Sequence, residues 1–150
     1  PDIEREHEAI KKYLADVGIQ LELHYNTNWP SFNSQVYEGK FPIFRYSWVA
    51  DLPEPDNFLY RLFHSQSRNN MTRYRNDRVD HLLDQARAEQ IYLKRIDLYR
   101  QAEKLIMEDS PLIPLSYLNY ERLFQPYVRS VEVSALGDPY IPMRKVWLAK

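Results

Sequence analysis

The sequence predicts an α/β fold, and three observations predict it. Helix-period and strand-period hydrophobic patterns alternate over residues 1–49. Two amphipathic helical patterns then follow one another between residues 77 and 108. At 150 residues, with 44% hydrophobic and 14% aromatic content, the chain is long enough to bury one sizeable core. That length argues for one domain, or a domain with a short appendage.

The first element is a helix. Ile3, His7, Ile10, Leu14 and Val17 recur at spacings of four and three, while Glu4, Glu6, Glu8, Lys11 and Lys12 take the other faces. Gly18 is placed to end it in a left-handed conformation. Residues 19–25, Ile-Gln-Leu-Glu-Leu-His-Tyr, alternate with period two, the pattern of a strand with one buried face. Asn26 to Asn28 is turn chemistry, and Trp29-Pro30-Ser31 starts a short helix to Glu38, closed by Gly39. Phe41 to Val49, rich in aromatic and β-branched residues, predicts a second strand. Two strands joined by a crossover helix are expected to lie parallel with a right-handed connection, and ligands of such sheets sit beyond the carboxyl ends of the strands.

Asp51 stands at that end. Pro53 and Pro55 fix two φ angles and remove two donors, so the strand cannot continue past it. Asp56 and Asn57 are candidate caps for a helix carrying Phe58, Leu59, Leu62 and Phe63. A polar loop, Ser65 to Asn76, precedes helices expected over 77–89, with Val79, Leu82, Leu83 and Ala86 inward, and 92–108, with Ile96, Tyr99, Ala102, Leu105 and Ile106 inward. These two should pack as a hairpin. Asp109-Ser-Pro111 stops the second, and 112–118 reads as a strand interrupted by proline. Short strands are expected at 128–134 and 146–148, separated by turn signals at Gly137-Asp-Pro139.

Composition narrows the function classes. Twenty basic against twenty-one acidic residues leave a net charge of −1, so the balance favours neither nucleic acid nor an anionic membrane surface. With no cysteine there is neither a disulfide nor cysteine-ligated zinc, and no apolar run approaches a membrane span. The opening Pro-Asp-Ile-Glu-Arg-Glu-His is already in helical periodicity, which reads as a piece excised from a longer protein. Catalytic patterns find little support. Asp51, Glu54 and Asp56 are crowded on one proline-rich turn, unlike a glycosidase pair. The four histidines lack metal-ligand spacing, so no metal or other cofactor is expected, and Ser31, Ser47 and Ser65 lack a nucleophile elbow. By pattern alone Asp51 is a turn or helix cap, Trp48 a core aromatic, and Arg68, Arg73, Arg75 and Arg78 a solvated loop face.

Taken together, several pieces in order resemble the C-terminal part of an extracellular solute-binding protein of family 5, the oligopeptide, dipeptide and nickel receptors of ABC importers. They are Leu14-Ala-Asp-Val-Gly-Ile19, Gly39, the signature Trp48-Val-Ala-Asp-Leu-Pro-Glu-Pro-Asp-Asn-Phe-Leu59, then Asn70, Tyr74 and Asn76, Val79-Asp-His-Leu-Leu-Asp-Gln-Ala86, Arg95-Ile-Asp-Leu-Tyr-Arg-Gln-Ala-Glu103 and Pro111-Leu-Ile-Pro-Leu115. Glu54 stands where the family usually has aspartate, and Leu52 where an aromatic is common.

The resemblance implies a periplasmic-binding-protein-like type II clamshell with a mixed sheet flanked by helices. Residues 1–118 would belong to its second lobe, and residues 119–150 would return towards the first. It further implies a ligand-binding stretch Trp48, Val49, Ala50 and Asp51. Asp51 would hold the α-ammonium of a peptide or similar small-molecule ligand, Trp48 would form cleft wall, and the 41–49 backbone would pair with an extended ligand. The implied partner is an ABC permease in the membrane, the implied location periplasmic or extracytoplasmic and membrane-anchored, and no catalysis is expected. A solute-binding-like sensor domain of a transcriptional regulator is the alternative.

Overall fold

A computed structural model describes residues 3–117, 121, 123–132 and 141–149. The chain divides into two compact units, residues 1–42 and 43–150.

In the first unit α1 spans Ile3–Asp16 and α2 spans Trp29–Glu38. Both end in the same way, for the same reason. Gly18 (φ +86°) and Gly39 (φ +73°) take the left-handed conformation that costs glycine little. In each case the next two N–H groups turn back on the last helical carbonyls. Gly18 N–H donates to Ala15 O and Ile19 N–H to Leu14 O, while Gly39 N–H donates to Val36 O and Lys40 N–H to Gln35 O. At the start of α2 the Asn28 Oδ1 accepts from Ser31 N–H (3.0 Å) and Pro30 fills the first turn. Val36 is buried, whereas α1 buries no residue fully. Ring contacts join His7 to Tyr25 (5.6 Å) and Phe32 to Phe41 (5.9 Å).

The second unit is organised on a helical hairpin. α3 covers Leu59–Phe63, α4 Asp77–Ala88 and α5 Tyr92–Asp109. Their inward faces form one core of Leu59, Phe63, Val79, Leu82, Leu83, Ala86, Tyr99, Ala102 and Ile106. Asn76 caps α4, its Oδ1 accepting from the Arg78 and Val79 N–H groups. Ser110 ends α5 in the left-handed conformation (φ +52°). In the tail, β1 (Val128–Arg129) and β2 (Trp147–Leu148) pair antiparallel, with Val128 opposite Leu148.

The helices lie where their periodicity placed them, and β1 and β2 fall within the short strands expected at 128–134 and 146–148, but the three longer strands expected upstream are not found among the described residues. Residues 19–25, 41–49 and 112–117 enter no ladder among the described residues, where the only sheet is β1–β2. The expected parallel pair is therefore absent from them, and Asp51 ends an extended segment rather than a sheet strand. The physical reason is that a strand exists only through the partner that satisfies its backbone groups, whereas a helix satisfies its own. What survives is the side-chain alternation. Phe44, Tyr46, Trp48 and Ala50 are turned inward, while Arg45, Ser47, Val49 and Asp51 are exposed. Residue 118, the turn expected at 137–139 and the end of the strand expected over 128–134 fall outside the described residues.

Candidate functional site

The segment that carries Trp48 to Asp51 is fixed by a residue downstream of the prolines. Pro53 and Pro55 turn the chain into a single 3₁₀ turn, Pro55–Asn57, which brings Asn57 back against the segment. Asn57 is 4% exposed. Its carbonyl accepts the Trp48 indole Nε1–H (2.8 Å), and its carboxamide Oδ1 accepts the Asp51 backbone N–H (3.0 Å). Ala50 is buried, Trp48 half-buried and Val49 52% exposed. The Asp51 carboxylate points outward with its side chain 67% exposed, and Oδ2 lies 3.3 Å from Arg61 Nη1.

Asp56 and Asn57 do not cap α3, as their position before it suggested. The residue preceding α3 is Phe58, and no side chain caps that end. The two polar groups are committed elsewhere, Asn57 to the Trp48–Asp51 segment and Asp56 to the hairpin. Asp56 Oδ1 accepts from Tyr99 Oη–H (3.1 Å) and pairs with Arg87 Nε (3.1 Å), and Glu54 Oε1 pairs with Arg95 Nη2 (3.2 Å). These braces tie the signature turn to α4 and α5. Each ion pair is partly exposed and worth about 1 kcal/mol or less. Tyr99 feels the arrangement most: burial, then the Asp56 carboxylate, push its phenol well above the ordinary tyrosine range. The Arg87 guanidinium also covers the Tyr60 ring (3.9 Å), which stacks in turn on the buried His64 (4.2 Å).

Leu52, Glu54, Asp56, Arg87, Arg95 and Tyr99 line a shallow depression, but its acids and bases already neutralise each other in pairs, which suits a brace better than a ligand seat. The larger depression lies at the α4–α5 turn around Gln85, Ala88 and Ile91 and includes none of residues 48–57. Its carboxylate, Glu89, is occupied by the Ile91 N–H (2.7 Å). Among the described residues no group of three or more His, Asp or Glu side chains is placed to hold a metal ion.

Of the residues expected at the site, Trp48, Val49, Ala50 and Asp51 are consecutive on one extended segment, Trp48 and Asp51 both secured by Asn57. Sequence reasoning missed Asn57 and Arg61 as neighbours of this stretch, and Arg87 and Arg95 as partners of Asp56 and Glu54 on the turn that follows it. The opposite charges of Glu54 and Asp56 and of the distant arginines were the available signal, but they do not say which pairs meet.

The architecture is that of the type II periplasmic-binding-protein-like α/β clamshells, of which this chain forms a helix-rich part with a small sheet. Residues 1–70 match the bacterial extracellular solute-binding proteins, family 5 Middle, and the chain is similar to family 5 solute-binding proteins over most of its length. It is 31% identical over 123 residues to the periplasmic murein peptide-binding protein MppA of Escherichia coli, covering 82% of this chain and 22% of that protein. Among solved structures, HbpA2 from Haemophilus parasuis is matched with a TM-score of 0.81 at 28% identity, over 100% of this chain and 29% of that one. The ABC transporter-associated periplasmic binding protein DppA from Helicobacter pylori, solved with the peptide STSA, is matched with a TM-score of 0.75 at 26% identity, over 97% and 29%. The chain thus spans 22% to 29% of the length of these relatives.

Proposed function

We propose that the chain is part of the solute-binding component of an ABC importer, capturing a peptide-class solute in an interlobe cleft without catalysis. In this reading residues 1–118 contribute to the second lobe and residues 119–150 run towards the first. The component works outside the cytoplasm, held in the periplasm or at the membrane surface, and hands its cargo to a membrane permease. The relatives' names as peptide-binding periplasmic proteins support the ligand class and location.

The observation that carries the reading is the way Asp51 is presented. Asn57 holds its backbone N–H, and the carboxylate is directed outward at the end of an extended segment, beside the half-buried Trp48. A carboxylate so placed receives the α-ammonium of a peptide through charge-assisted hydrogen bonds. Trp48 supplies cleft wall, and Val49 and Ala50 offer main-chain groups to an extended ligand. One wall of a cleft encloses little of a ligand, so the isolated chain should bind more weakly than a protein that closes both walls.

Calorimetry with free-amine tripeptides on the complete protein carrying this chain tests the assignment. Each ammonium hydrogen bond is worth about 1.5–3 kcal/mol, so Asp51→Ala should weaken binding by roughly tenfold to a hundredfold. Equal binding by the wild type and Asp51→Ala would remove Asp51 from the site.

A further inference from the structure

Asp51 already has a cation beside it. Arg61 stands in the last turn of α3, and its carbonyl accepts a hydrogen bond from Ser67 Oγ (2.6 Å), which ties down the backbone that carries the guanidinium. Asp51 is held from the other direction, through its N–H on Asn57. Two separately anchored pieces of chain therefore bring Nη1 and Oδ2 to 3.3 Å. No regular element spans both residues, so helix or strand geometry does not impose the pair.

We propose that Arg61 is the resident counter-ion of Asp51, with which an incoming ammonium must share the carboxylate, and that it sets the site's affinity and selectivity for peptides with a free amino terminus. The proposal rests on the assignment of Asp51 given above. Its logic is electrostatic. An ammonium arriving at Asp51 is attracted by the carboxylate and repelled by the guanidinium beside it, and the repulsion grows as water is excluded. The side chains are 42% and 67% exposed, so the resident pair is weak enough to be shared or displaced. Arg61 thus lowers affinity for cationic termini without abolishing it, and has no such effect on a ligand whose amine is blocked.

The test uses the complete protein carrying this chain, with a library of random tripeptides in free-amine and N-acetylated forms. Peptides retained through rapid gel filtration are read by mass spectrometry. Arg61→Gln should retain the free-amine library up to about fivefold better than wild type, the range of an exposed ion pair. It should leave the acetylated library unchanged, and the gain should shrink at high salt. Arg61→Lys, which keeps the charge, should behave like wild type. Arg61→Met, which keeps the apolar stem, repeats the measurement if circular dichroism shows Arg61→Gln to be misfolded. If wild type prefers free amines and the neutral variants retain them no better, or worse, the counter-ion role is overturned while Asp51 keeps its assignment. If neither wild type nor the variants distinguish free from acetylated peptides, both assignments fall.

Discussion

Asn57 shows how much one buried polar residue can decide. Both of its acceptors face the same short stretch, the carbonyl taking the Trp48 indole and Oδ1 the Asp51 N–H. The Asp51 bond also fixes which way the carboxamide points, because a backbone N–H needs the oxygen. Asn57→Ala keeps the Trp48 contact and removes the Asp51 one, leaving a part-buried N–H unsatisfied. The expected cost is about 1–2 kcal/mol of folding stability, measured as a fall in the denaturant midpoint; an unchanged midpoint would show that water replaces Oδ1 freely. From the sequence, Asn57 reads as a helix cap, because an asparagine before an apolar helical run usually is one. The 3₁₀ turn set by Pro55 carries it past that position and aims it backwards. The ligand-facing role proposed for Asp51 and Trp48 rests on a motif resemblance, since local pattern equally describes a turn acid and a core aromatic.

At the level of elements, legibility followed the range of the interactions. α4 and α5 lie within a residue of their expected bounds, and Val79, Leu82, Leu83, Ala86, Tyr99, Ala102 and Ile106 all proved buried, because helical periodicity and caps are local properties. The segment over 44–51 kept its alternation without a ladder, since pairing depends on chain far away, whereas the short tail strands β1 and β2 found each other. The hairpin also carries a staple that no local pattern announces. Tyr74 Oη–H and Asn76 Nδ2–H, just before α4, both donate to Asp109 Oδ2 at the end of α5, at 2.5 and 2.7 Å. The two hydrogen bonds, that of Tyr74 first, hold the Asp109 carboxyl below the usual aspartate range. Burial, followed by Asp109, lifts the Tyr74 phenol to about 12. A depressed carboxyl pKa stabilises the fold above the unfolded value of about 3.9, and that support is lost as pH falls through the folded value. A raised phenol pKa stabilises it below about 10, and that support is lost as pH climbs towards 12. Tyr74→Phe should therefore flatten the alkaline limb of the stability profile and return Asp109 towards an ordinary titration, which carboxyl NMR can follow. An unchanged Asp109 midpoint in Tyr74→Phe would mean that Asn76 alone holds the carboxylate.

Across the whole molecule, stability is unevenly distributed, and the distribution follows from where apolar side chains are buried. α1 has a clear apolar stripe yet buries none of it fully, and Ile3, Tyr13 and Val17 are 48%, 69% and 72% exposed. α2 buries Val36, whereas α4 and α5 together bury Val79, Leu82, Leu83, Ala86, Tyr99, Ala102 and Ile106. A helix of 14 residues is marginal in water without packing, so α1 draws little support from its own length. A fully buried leucine such as Leu83 contributes about 1.5–3 kcal/mol through burial alone. Local opening free energies should rank accordingly, lowest for α1 and highest for the α4–α5 hairpin. Hydrogen exchange followed by mass spectrometry on the 150-residue chain should find α1 amides exchanging within the earliest time points, α2 later, and the inner amides of α4 and α5 last. The caps at Gly18 and Gly39 would not change that order, because they satisfy the ends of helices that packing must still hold together. Protection of α1 equal to that of α5 would refute the ranking, and would mean that the apolar stripe of α1 is covered in solution.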